Sequence, residues 1–125
     1  MFKLEKIGEN TFYLKALGTF PPSVAKRFVK EFKEKTKNLE SFSVIVDGLD
    51  LIILHLKSFK IVLNLLRKNN KKLIKSAYIV GENPVLTKEA QILLERAKSP
   101  KRKIVKDLEE AKDWTGIRDI IIQKE

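Results

Sequence analysis

The sequence predicts a single α/β domain, a mixed β-sheet that opens with an antiparallel hairpin and carries about four helices. Three observations predict it. Ser43 to Val46 is a short, β-branched apolar run of the kind found in strands covered on both faces. Phe59, Val62, Leu63 and Leu66 then fall at i, i+3, i+4 and i+7, one face of a helix packed back on that strand. Around this central stretch, residues 42 to 66, strand-like and helix-like segments alternate, and 125 residues at 43% hydrophobic content suffice for one buried core.

The elements follow in order. Residues 2 to 7, FKLEKI, place Phe2, Leu4 and Ile7 among charges, as an edge strand with one wet face does. Gly8 to Asn10 turn the chain, and residues 11 to 17, TFYLKAL, return as the second strand of a hairpin. Pro21 and Pro22 lead into a helix running from Val24 to near Asn38, with Ala25, Phe28, Val29 and Phe32 on its apolar side. The central strand, 43 to 47, follows and pairs with the second strand in parallel through a right-handed crossover. Asp47 and Gly48 stop it, and Leu51 to Leu56 form an apolar loop before the central helix.

Past the RKNNKK run, Ser76 to Val80 reads as a buried strand. Asn83 caps a helix with Pro84 in its first turn and Leu86, Ala90, Leu93, Leu94 and Ala97 as its stripe. Ser99 and Pro100 end it. Lys103 to Val105 is a minimal strand, Asp107 and Glu110 form an approximate capping box for a last helix, and Trp114 closes the core. The domain spans 1–116, and the isoleucine-rich tail, 117–125, docks on it or on a neighbouring subunit.

Composition excludes several chemistries. With no cysteine there is no thiolate catalysis, disulfide or Cys-based zinc site, and a lone His55 forms no histidine pair around a metal. The glycines are too scattered for a phosphate-binding loop, so no cofactor is expected. Charges interrupt MFKLEKIGEN where a signal peptide needs its apolar core, and no apolar run is long enough for a membrane span, so the expected compartment is the cytoplasm. A net charge of +10, carried mostly by lysine, favours acidic partners or nucleic acid.

This element order resembles the STAS domain, the fold of bacterial anti-sigma-factor antagonists. SVIVDGLDLIILHLKSFKIVLNLL looks like that family's third strand, loop and regulatory helix, and KIVKDLEEAKDW like its closing strand and helix. The resemblance covers roughly residues 1 to 115 and implies a non-enzymatic regulatory module whose protein partner is a kinase or anti-sigma factor. In the phosphorylatable antagonists the loop reads Asp-Ser-Ser-Gly or similar. This chain has His55-Leu56-Lys57-Ser58 there, with Lys57 at the phosphoacceptor position and Ser58 one residue late. The usual phosphorylation switch is therefore expected to be missing, with Ser58 as its one candidate acceptor.

The partner surface expected from these residues is Leu54, His55, Leu56, Lys57 and Ser58, with Pro21 and Pro22 beside it. Two other classes stay open. A nucleic-acid module would use the basic clusters, with Arg67, Lys68, Lys71, Lys72, Lys101 and Arg102 as contacts, although cations at helix ends also offset helix dipoles. A small-ligand or lipid-binding domain would show a cavity beneath Leu51 to Leu56. The same surface or tail could also serve oligomerisation.

Overall fold

The computed structural model of the chain describes residues 1–120. Its strands are β1 (Phe2–Lys6), β2 (Thr11–Phe20), β3 (Phe42–Leu54), β4 (Leu73–Ile79) and β5 (Arg102–Val105), and its helices are α1 (Pro22–Thr36), α2 (Leu56–Asn69), α3 (Pro84–Ala97) and α4 (Leu108–Thr115). The five strands lie side by side in sequence order. β1 and β2 pair antiparallel, and every later pair is parallel. The expected mixed sheet, hairpin and four helices are all present.

Alternation along the strands sorts side chains between two layers. Phe12, Leu14, Ala16 and Val44 face α1 and α2, joining Phe28, Phe32 and Leu65 in one cluster. Tyr78 extends this layer to Phe59, Leu63 and Leu66 of α2 and Leu93 and Ala97 of α3. Ile45, Ala77, Ile79 and Val105 point the other way, onto Ala111 and Trp114 of α4. Ile117 and Ile120 pack on that second cluster, and residues 121–125 of the expected tail lie outside the described residues.

The first layer is aromatic. Phe2, Phe12, Phe20, Phe28, Phe32 and Phe42 interlock with ring centroids 5.3 to 6.4 Å apart, several edge to face. This geometry sets the positive ring edge of one partner against the negative face of the next. On the other layer Trp114 donates its indole N–H to the Ser76 carbonyl at 2.9 Å, and Lys75 lies 4.1 Å from its ring centre.

The helix ends follow local chemistry. Asn83 accepts from the N–H groups of Val85 and Leu86, and Asp107 from that of Glu110. The reciprocal half of the capping box is displaced by one residue, since Glu110 accepts from the Lys106 N–H at 3.2 Å.

Two boundaries differ from their expectations in a way that shapes the molecule, since β2 runs past residue 17 to Phe20 and β3 past residue 47. β3 does not stop at Asp47 and Gly48, and Leu51 to Leu54 are not a loop: the strand runs on to Leu54. An Asp-Gly pair signals a turn when strands fold back on themselves. Here the glycine serves a close approach instead, since a Cβ on Gly48 would stand 3.0 Å from the Ile79 carbonyl oxygen and 3.4 Å from Leu86. Gly48→Ala is expected to lower stability by about 1–3 kcal/mol in urea denaturation, because the nearer obstacle is backbone and yields little.

Candidate functional site

β3 pairs with β4 only as far as Asp47 opposite Ile79. With β2 it continues to Phe20 opposite Leu54, across two register shifts, so the two strands extend past the rest of the sheet as a ribbon. Gly18, at φ +62°, lies at the second shift, where the left-handed backbone suits glycine. Along the ribbon Leu51 and Leu54 turn inward onto the core, whereas Leu49, Ile52 and Ile53 are exposed by 52%, 65% and 43%. Leu56, first in α2, is 72% exposed. Four large aliphatic side chains thus stand in solvent around one strand end and the helix start that follows it.

The five residues expected as a partner surface divide. His55, Leu56 and Lys57 are exposed at the junction, and Leu54 is half-buried, facing inward. Ser58 is fully buried, and its hydroxyl donates to the Phe20 carbonyl at 2.5 Å. It ties the end of β2 to the start of α2 and offers a kinase no accessible oxygen. Pro21 directly follows Phe20, the register partner of Leu54, so the proline pair does stand beside this junction.

Asp47 holds the ribbon's base. Its buried carboxylate accepts from the Tyr13 hydroxyl and, at 3.1 Å, from the Leu49 N–H, which steers β3 onward. Burial, then the Asp47 and Asp50 carboxylates, push the Tyr13 hydroxyl well above its ordinary range, so it stays a donor. Lys15 and Asp50 add an ion pair at 3.1 Å on the exposed side. No group of three His, Asp or Glu side chains among the described residues is placed to hold a metal.

The basic clusters are largely occupied with helix ends. Arg102 donates to the Leu66 carbonyl at 2.9 Å and to the Asn70 side chain at 3.1 Å, and Lys101 to the Asn70 carbonyl at 3.2 Å, all at the C-terminus of α2. Arg67 donates to the Arg96 carbonyl at 3.0 Å near the end of α3, and Lys72 reaches the Thr36 carbonyl of α1 at 3.4 Å. These cations satisfy carbonyls that have no partner within their helices. Of the six expected nucleic-acid contacts, Lys68 and Lys71 are the two exposed ones with no such bond. None of the exposed large apolar side chains among the described residues is aromatic, so these side chains offer no base-stacking platform.

A cavity of about 120 Å³ lies between the sheet and the helices, walled by Leu51 and Leu54 of the ribbon and by Leu86, Ala90 and Leu93 of α3. Glu89 of α3 lines it, and its Oε1 atom is buried without a hydrogen-bond partner. Burial raises this carboxyl above the usual range, against the weaker opposing pulls of the Leu54 N–H and His55. Nothing in the α3 pattern distinguished Glu89 from Glu95, the other acid on that helix, because its environment is supplied by β3.

The sheet order, the antiparallel opening and the β3–α2 junction define an α/β domain with a SpoIIAA-like fold. No protein-family model matches the sequence, and no curated protein matches it. Solved structures do. An uncharacterized protein of the DUF3478 family from Shewanella loihica PV-4, with a SpoIIAA-like fold, is 18% identical, with 92% of each chain covered and a TM-score of 0.70. The anti-sigma factor antagonist SpoIIAA in its unphosphorylated form is 13% identical over 88% of this chain and 92% of its own, with a TM-score of 0.66. No helix among the described residues is long and apolar enough to cross a membrane.

Proposed function

We propose that this chain is a non-catalytic regulatory module that binds a protein partner, of kinase or anti-sigma-factor type, on the tip formed by the β2–β3 ribbon and the start of α2. The reading rests on the exposed aliphatic cluster of Leu49, Ile52, Ile53 and Leu56. Several large aliphatic side chains exposed near one strand end of a highly charged domain favour a contact site there. Lys57 and His55 at its margin, on a chain of net charge +10, favour a partner with an acidic rim around an apolar centre. The SpoIIAA-like fold supports the reading as analogy, since shared fold alone does not carry shared activity. The partner acts on a module with no surface hydroxyl at Ser58, so control by phosphorylation at that residue is left out. A cytoplasmic setting suits such a partner.

The test is an interaction assay from nuclease-treated native lysate, comparing the wild type with a variant carrying Ile52→Ser, Ile53→Ser and Lys57→Glu. These side chains are exposed, so each change should move stability by no more than about 0.5 kcal/mol. One protein retained by the wild type at high salt and lost by the variant is the expected result. Equal retention by both places the contact elsewhere. Retention of nucleic acid alone, released as salt rises, would favour the electrostatic module instead.

A further inference from the structure

The sheet ends in two edge strands, β1 and β5, and one of them suits a second copy of this chain. The Leu17 N–H bonds the Met1 carbonyl and the Ile7 N–H the Thr11 carbonyl, both at 2.9 Å, which fixes the phase of the β1–β2 ladder. Met1, Lys3, Glu5 and Ile7 therefore turn their backbone groups towards β2, and Phe2, Leu4 and Lys6 turn theirs outward. An outward row of this kind pairs with another strand unless charge or cover prevents it. On β5, Arg102 and Lys103 lie between Lys101 and Lys106, so like charge blunts that edge. β1 alternates in sign instead. Phe2 and Leu4 pack towards α1, which leaves Lys3 and Glu5 together on the opposite face. Neither forms an ion pair among the described residues, and Lys3 stands opposite another cation, Lys15 of β2. A twofold axis through Leu4 pairs β1 antiparallel with its copy and sets Lys3 of each against Glu5 of the other. These are non-hydrogen-bonded positions of the new ladder, where facing side chains come closest. On the other face, a groove along β1 is flanked by Arg27 and Glu31 of α1. The same axis runs α1 antiparallel to its copy, which brings Arg27 to the side of Glu31 of the second copy. We propose that the chain forms a twofold homodimer by antiparallel pairing of its β1 edges, with the Lys3 and Glu5 pairs setting the register.

Sedimentation equilibrium of the purified full chain over a wide range of concentration tests this. The expected result is a mass that rises from 14.4 kDa towards twice that value. Lys3→Glu alone, or Glu5→Lys alone, sets like charges face to face at both symmetric positions and should weaken self-association at least about tenfold. Mixed in equal amounts, the two single variants should associate with each other as strongly as the wild type does with itself, since every facing pair is then of opposite sign. Lys3 is exposed and Glu5 half-buried, and recovery in the mixture excludes misfolding as the cause of the loss. A monomer at every concentration overturns the proposal. So does a dimer that both single variants leave unchanged, because it assembles through another surface. The assay needs no partner at the ribbon tip, so its outcome is independent of the regulatory reading.

Discussion

Ser58→Asp is expected to cost about 3–5 kcal/mol of folding stability, measured as a lowered urea midpoint at unchanged slope, because it leaves an uncompensated charge in the interior. Ser58 has no exposed surface, and its hydroxyl is committed to the Phe20 carbonyl. An aspartate there would lose that donor and set its own negative charge against the carbonyl oxygen. Ser58→Ala removes the hydrogen bond without adding charge and should cost about 1–2 kcal/mol. The ratio between the two separates a structural hydroxyl from a surface one, where both changes would be nearly silent. Since a domain is typically stable by about 5–15 kcal/mol, the aspartate variant stays measurable only if the wild type is well above the lower limit. A phosphate at this position would meet the same obstacle with more charge and more volume.

Phe12→Ala is expected to be as damaging, at about 3–5 kcal/mol. Phe12 is wholly buried and packs its ring on Phe32 and Phe42, with centroids 5.9 and 6.4 Å away. Truncation opens a void in a layer where rings on β2, β3 and α1 hold one another in place, so relaxation into the space requires moving all three elements. Phe2→Ala, on the half-buried edge strand, should cost less in the same assay. Pairing Phe12→Ala with Phe32→Ala should give a combined loss that differs from the sum of the single losses, because the two rings touch.

Element type and order were legible wherever the periodic signal was uninterrupted. The stripe of Ala25, Phe28 and Phe32 placed α1, and Asn83 with Pro84 placed the start of α3, because capping and periodicity are properties of a few neighbouring residues. The ribbon was not legible in this way. Asp47 and Gly48 carry a local turn preference, and it was overruled by partners remote in sequence. Tyr13 on β2 takes one oxygen of Asp47, and the carbonyl of Ile79 on β4 passes too close to Gly48 for a side chain. The β-branched pair Ile52-Ile53 was the one local hint that the strand goes on.

The candidate site shows the same division. Its position at the β3–α2 junction, with His55, Leu56 and Lys57 in solvent, followed from where strand and helix patterns meet. Which hydroxyl is hidden, which isoleucines face water and which glutamate enters a cavity did not follow from any pattern. Ser58, Ile52 and Glu89 owe their surroundings to Phe20, to the missing β4 partner beyond Ile79, and to Leu51 and Leu54. The basic clusters make the point in charge. Composition counts a surplus of ten, but only the packed helices reveal that Arg67, Lys72, Lys101 and Arg102 spend theirs on carbonyls at helix ends. From residue order alone came the α/β class, the hairpin, the four helices and the absence of thiol chemistry. Exposure, burial and hydrogen-bond partnership came from the fold, because each depends on atoms brought together from distant parts of the chain.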